Sequence, residues 1–261
     1  MEFLVSILIF IFGLIVGSFL NAVIYRLYKN KTLMGFSACP RCSHRLFPKD
    51  LLPLFSFLWL GGRCRYCKKK ISWQYPLVEL GTATIFTILA RQILFLGGSL
   101  DLSASNLLGL GFGLIFVSVL IIIFVFDFRY YLIPDIAIIL GTILAMVYRL
   151  TIPEISLKSG LYGMLVLVGF FGILFLVSQG RWIGFGDVKL GVFLGLMLGF
   201  SLSVLMLGMA YVGGAVVAVV LVLFKKKTMK GVLPFGTFLT ASTVAVFLWG
   251  EQILNWYLAY F

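Results

Sequence analysis

The sequence predicts an all-α, polytopic membrane protein with about eight transmembrane helices and one small polar loop domain. Three observations predict it. Of the 261 residues, 62% are hydrophobic and only 11% are charged, and the mean hydropathy is +1.12. A soluble domain of this size cannot hide that much apolar surface, whereas roughly 20 apolar residues suffice to span a bilayer. Apolar runs of about that length recur along the chain, and the one polar segment of any size, residues 26–75, holds all four cysteines.

Taken in order, the spans are expected near 3–25, 76–97, 106–126, 134–150, 160–178, 186–200, 203–224 and 233–251. The first is too long and too poorly flanked for a cleaved signal peptide, so residues 1–25 are read as a transmembrane helix. Residues 26–75 then form the loop domain and residues 76–261 the main bundle. No internal repeat or low-complexity tract interrupts this order.

Basic residues orient the bundle. Residues 26–75 carry eleven Lys/Arg against one acid, Asp50. With that loop in the cytoplasm, Arg129, Arg181, Lys189, Lys225, Lys226, Lys227 and Lys230 also face inward. Arg91, Arg149 and Lys158 are left outside or near the outer face. This is the asymmetry that the positive-inside rule requires, and it places both termini outside. The net charge of +12 needs no nucleic acid to explain it; anionic lipid headgroups are the expected partner.

The cysteines stand as Cys39-x2-Cys42 and Cys64-x2-Cys67, 21 residues apart. Four thiolates in two close pairs can surround one tetrahedral zinc ion, which makes 26–75 a zinc-ribbon-like domain. Disulfides are the alternative, but they rarely persist in the reducing compartment that the loop's basic character indicates. A four-sulfur site has no open position, so the metal is expected to be structural, holding a loop too small for its own core. His44, two residues past Cys42, is read as a surface residue.

Nine acids occur in the chain, and Glu79, Asp127, Asp135 and Asp187 fall at or near span boundaries. An aspartate at the centre of an inserting helix costs about 2.5–3.5 kcal/mol, and less near the ends. Asp127 closes the third span and Asp187 opens the sixth, so both lie at the cytoplasmic end. If those spans are neighbours, the two carboxyls face one another. Two carboxylates about 3 Å apart cannot both ionise, so they share a proton. One then serves as general base on a water while the other, protonated, polarises a peptide carbonyl.

Asp187 stands in "GFGDVKLG" (184–191), where Gly184 and Gly186 give a peptide backbone room to approach. The same residues also fit a plain helix start, with Asp187 as cap. Asp135, after Pro134, and Glu79, after Pro76, read as first-turn acids of spans four and two. An ion pair between Glu79 and the basic loop is the alternative. Lys189 reads as an interfacial anchor.

Together these stretches resemble the prepilin peptidases, or type IV leader peptidases, which are intramembrane aspartic proteases of the GxGD type. The resemblance covers nearly the whole chain. It rests on "GSFLNAVIYRL" (17–27), the two cysteine pairs, "GGRCRYC" (61–67), "ISWQYPLVEL" (71–80), "DFRYYLIPD" (127–135), "GFGDVKLG" (184–191) and "PFGTF" (234–238). What it implies is an enzyme of the bacterial plasma membrane that cuts the basic leader of prepilin or pseudopilin precursors at the cytoplasmic face. The matching catalytic pair is Asp127 and Asp187. Members with the cysteine loop typically also methylate the new N-terminus with S-adenosylmethionine, which points to the loop and to Gly61 and Gly62; those glycines equally fit a turn before the third cysteine. The products feed pilus, type II secretion or DNA-uptake assembly.

By analogy with other GxGD proteases, an unwound turn at Pro234, Phe235 and Gly236 is expected to hold an extended substrate segment. Two departures stand out. Arg129 occupies a place where the family often has a second aspartate, and Thr237 replaces a frequent proline. The substrate's basic leader would be repelled by the basic loop unless Asp50 or Glu79 offsets the charge. Two other function classes stay open on sequence: a proton-coupled transporter using the paired acids, and a non-catalytic zinc-loop scaffold.

Overall fold

A computed structural model describes residues 2–95, 99–152, 155–224 and 233–259. Lys225, Lys226, Lys227 and Lys230, which the charge bias places on the inner side, lie outside the described residues.

Every expected span falls on a helix. These are α1 (Glu2–Tyr28), α3 (Gln74–Leu94), α4 (Ala104–Tyr130), α5 (Asp135–Thr151), α6 (Leu157–Ser178), α7 (Phe185–Leu198), α8 (Phe200–Leu223) and α9 (Phe235–Leu258). A five-residue helix, α2 (Phe55–Trp59), lies in the polar loop. Among the described residues there is no strand, only isolated bridges between Ala38 and Arg45 and between Arg63 and Lys70. Six helices, α1, α3, α4, α6, α8 and α9, are long and apolar enough to cross a membrane. The other two are shorter, with 17 residues in α5 and 14 in α7. At 1.5 Å per residue α7 covers about 21 Å, less than the roughly 30 Å of a hydrocarbon core.

The chain packs as two compact units, Met1–Ile122 and Ile123–Phe261, with the boundary inside α4. In the first, α1 and α3 lie antiparallel. Arg91 near the end of α3 pairs with Glu2 at the start of α1 (2.5 Å), while Asn21 donates to the Tyr75 carbonyl at the other end (3.1 Å). Between these ties the backbones touch through Gly13 and Gly17. A β-carbon on Gly13 would lie 2.5 Å from the Ala83 Cα, and one on Gly17 would lie 2.7 Å from the Glu79 Cα. Small residues four apart allow this approach in lipid, where packing rather than water drives association.

The polar loop hangs from this pair. Arg26 donates to the carbonyls of Leu33 and of Gly35. Glu79 is buried in the second turn of α3, not the first, and accepts the Leu54 amide at 2.9 Å. Leu54 has φ +59 and ψ −50, in a γ-turn closed by the Phe55 amide on the Pro53 carbonyl at 2.6 Å. That is strained backbone for a residue with a side chain, and the Glu79 carboxylate anchors it.

In the second unit α7 is the centre, packed by α5, α6, α8 and α9. Leu190, Phe193 and Leu194 of α7 are fully buried, with Leu167, Phe171, Met206 and Leu239 around them. Gly195 lets α6 come close: a β-carbon there would stand 2.4 Å from the backbone of Met164. Arg149 is buried at the C-terminal end of α7, the end away from Asp187. It donates to the carbonyls of Leu196, Met197 and Ser156. A cation at a helix C-terminus meets the negative end of the dipole and the unpaired carbonyls together, so Arg149 is satisfied there by backbone oxygens.

Candidate active site

Three helix ends build the site within the second unit. Asp127 lies in the last turn of α4, Asp187 in the first turn of α7, and Gly236 and Thr237 in the first turn of α9. Both aspartates are buried. The Thr237 amide donates to Asp127 Oδ2 at 2.6 Å, and the Thr237 hydroxyl donates to the same oxygen at 3.0 Å. The first amides of a helix have no partner within it, so Asp127 caps α9 from another helix.

Gly236 makes this possible. A β-carbon on it would stand 3.0 Å from Asp127 Oδ2 and 3.0 Å from Ile133 Cδ1. The same Ile133 methyl would stand 3.4 Å from a β-carbon on Gly186, next to Asp187. Asp127, Gly236, Ile133 and Gly186 thus follow one another toward Asp187, whose surroundings include the Asp127 charge. Tyr211 of α8 also feels the Asp187 charge. Its ring packs on Phe235 at 5.0 Å, and Phe235 in turn meets Phe171 at 6.1 Å.

Neither glycine of "GFGD" has left-handed backbone. Gly184 is the N-cap of α7 with φ −76 and ψ 148, open to any residue. A β-carbon on it would lie 3.7 Å from Asp187 Oδ2, against the face of the acid. The expected unwound turn is also shorter than the motif suggests. Pro234 is extended, but α9 begins at Phe235, so Phe235 and Gly236 are helical. Asp135 does start α5, as expected, and pairs with Lys189 at 2.5 Å, so this lysine clamps α7 to α5.

Three residues of the site went unread in the sequence. Thr237 was visible only as a departure from a motif, and Tyr211 only as a polar atom inside an apolar span. Ile133 carried no signal.

The four cysteines come together in the first unit. Their Sγ atoms all lie within 4.8 Å of one another, with Cys39 and Cys67 4.0 Å apart. A zinc–sulfur bond of about 2.3 Å sets tetrahedral sulfurs about 3.8 Å apart, so the cluster fits a possible zinc site with slight contraction. The two halves repeat one turn. The Cys39 amide bonds the His44 carbonyl and the Cys64 amide bonds the Lys69 carbonyl, with left-handed Ser43 and Lys68 after the second cysteine of each pair. Burial works against charge on Cys64, but the amides of Cys67 and Tyr66 and the neighbouring thiols outweigh it and bring its thiol to about 7. His44 is exposed and stacks on Tyr66 at 3.7 Å, outside the cluster.

Gly61 and Gly62 both have left-handed backbone and close α2, their amides bonding the carbonyls of Leu58 and Phe57. Asp50 is held by Arg65 (2.6 Å), Tyr66 (3.0 Å) and the Phe47 amide (3.2 Å). Burial alone would raise its carboxyl, but these bonds outweigh burial and hold it below the ordinary 3.8. Asp50 and Glu79 therefore both serve the loop's own structure.

A helical protein with several helices long and apolar enough to cross a membrane, two buried acids at helix ends in one unit and a four-cysteine cluster in the other, has the plan of a membrane-embedded peptidase. Residues 11–93 match the family model of the bacterial peptidase A24 N-terminal domain, and residues 114–219 match that of the type IV leader peptidase family. A prepilin leader peptidase/N-methyltransferase of Bacillus subtilis is 32% identical over 96% of this chain and 97% of its own. Proteins of the same name from Pseudomonas aeruginosa and Aeromonas salmonicida are 31% and 30% identical. They cover 95% and 97% of this chain, and 91% and 93% of their own. No solved structure matches. The chain belongs to the type IV leader peptidase family.

Proposed function

We propose that this protein removes the basic leader of prepilin or pseudopilin precursors by aspartic catalysis at Asp127 and Asp187, and then methylates the amine it exposes. The observation that carries this is that two buried carboxyls, in the last turn of α4 and the first turn of α7, are linked through Ile133, which lies against both Gly236 beside Asp127 and Gly186 beside Asp187. Acids at helix ends suit a bond at the membrane interface, where the basic head of a precursor joins its apolar helix. A transporter favours acids at the midplane.

The chemistry needs one proton shared between the two acids. The ionised carboxylate takes a proton from water as the water oxygen bonds to the scissile carbonyl carbon. The protonated partner gives its proton to the carbonyl oxygen, forming a tetrahedral diol. On collapse a proton passes to the leaving nitrogen and the C–N bond breaks. A leader acid and a free amine result, and the pair again holds one proton. Gly184 and Gly186, where an added β-carbon would meet nothing nearer than 3.4 Å, leave room for an extended backbone beside Asp187.

In the loop, Cys39, Cys42, Cys64 and Cys67 would hold zinc as a closed structural ion. S-adenosylmethionine would supply the methyl group. Gly61, with no atom within 4 Å of the position its β-carbon would take, gives a donor molecule room beside the loop backbone. The basic loop and the acids' end of the bundle face the cytoplasm in this account, both termini face outward, and anionic lipid surrounds the basic rim.

The test is the mass of a purified pilin-type precursor after incubation with the detergent-solubilised protein, with and without S-adenosylmethionine. Leader loss in both cases, with one added methyl group only when the donor is present, is the expected result. An unchanged mass of a precursor that another leader peptidase cuts would overturn the proposal.

A further inference from the structure

We infer that Thr237 is the positioning residue for Asp127, fixing which of its two carboxyl oxygens exchanges protons. This rests on the proposed aspartic mechanism and goes beyond it. The amide and hydroxyl of Thr237 converge on one atom, Oδ2. Two donors on one oxygen, one of them a fixed backbone amide, stabilise the ionised acid and disfavour a proton on that oxygen. Oδ2 is thereby the anchored oxygen, and Oδ1 is left as the one that takes a proton from water and returns it. The carboxyl also cannot turn about its Cβ–Cγ bond without breaking both bonds.

The surroundings agree. Thr237 and Asp127 are both nearly excluded from solvent, at 7% and 5% exposure, so water does not replace either donor. Gly236 packs directly against the same oxygen, so the carboxyl has no room to move away from its donors on that side. The Thr237 amide belongs to the first turn of α9, where it has no acceptor in its own helix, so its direction is set by the helix axis and not by a mobile side chain. Thr237 touches neither water nor peptide in this scheme. It acts through Asp127.

Two substitutions separate the hydroxyl from packing. Thr237→Val keeps the shape and the amide but removes the hydroxyl. Thr237→Ser keeps both donors and loses only a methyl. The measurement is the pH profile of kcat for leader removal by full-length protein in detergent, with Asp127→Asn as control. Thr237→Val is expected to lower kcat about tenfold with KM unchanged, the size of one lost charge-assisted hydrogen bond. Its acid limb should move to higher pH, and Thr237→Ser should restore both rate and profile. A Thr237→Val profile matching wild type, or a Thr237→Ser as impaired as Thr237→Val, overturns the inference. Full activity in Asp127→Asn instead overturns the mechanism beneath it, so the two failures are distinct.

Discussion

Gly236 and Asp127 are packed so closely that no side chain fits between them: a β-carbon on Gly236 would stand 3.0 Å from Asp127 Oδ2 and 3.2 Å from its Cγ. Two acids sixty residues apart in sequence are therefore not organised by their own helices alone. The first turn of α9 supplies both the donors that hold Asp127 and the space that admits it.

Gly236→Ala forces Asp127 aside by a few tenths of an ångström. Misplacing a reacting group by about 1 Å costs on the order of a hundredfold, so a smaller displacement is expected to cost about tenfold in kcat for leader removal. Thermal stability in detergent should change little, since the rest of α9 is untouched. An alanine variant with wild-type kcat would mean that Asp127 does not work from this position.

Arg149→Met should weaken the whole second unit. It leaves the carbonyls of Leu196, Met197 and Ser156 without their shared donor. The cost of orphaning several buried acceptors of a charged donor is on the order of 2–5 kcal/mol. The check is the unfolding midpoint in detergent. Arg149→Lys should rescue only part of it, because one ammonium cannot reach all three oxygens.

Any one of Cys39, Cys42, Cys64 or Cys67 changed to Ser should abolish stoichiometric metal in the purified protein. The reason is that a closed tetrahedral site depends on all four sulfurs. Elemental analysis after mild chelation reads this directly, with one zinc per chain expected for wild type. His44→Ala should leave the metal content unchanged, since its ring lies on Tyr66.

Asp50 gives the loop an acid limit. Its carboxyl is held below 3.8 when folded, so its contribution is complete above the unfolded value and disappears as pH falls through the lower folded one. Amide hydrogen exchange in residues 47–66 should rise in wild type only below about pH 4. In Asp50→Asn it should already be raised at neutral pH, because Arg65 and Tyr66 lose their shared partner. Equal exchange in the two proteins at pH 7 would remove Asp50 from the loop's structure.

Much of this was legible in the sequence, and what was not has physical causes. The apolar runs place eight helices, six of them long and apolar enough to cross a membrane, because hydrophobicity sustained over 14 to 27 residues leaves the backbone little alternative to helix in lipid. Cys-x2-Cys spacing foretells the four-sulfur cluster, because the turn that brings two thiols together is local. Asp127 and Asp187 announce themselves by the cost of acids beside apolar runs. Partnerships between helices leave no such trace. Glu79 reads as a first-turn acid until Leu54 is seen on its carboxylate, and Arg149 reads as a boundary charge until three carbonyls are found on it. Gly13 and Gly17 did carry a signal, the four-residue spacing of small residues, which hydropathy alone passes over. Thr237 looked like a weakened motif and is the residue that holds Asp127.

The central claim is that Asp127 and Asp187 act as one catalytic pair. The most direct measurement is single-turnover cleavage of a pilin-type precursor by wild type, Asp127→Asn and Asp187→Asn, each shown by its unfolding midpoint to be folded. Both variants are expected to lose at least a thousandfold in rate, and the double variant should be no worse than either alone, since each acid is useless without the other. Either single variant cutting at close to the wild-type rate would contradict the pair.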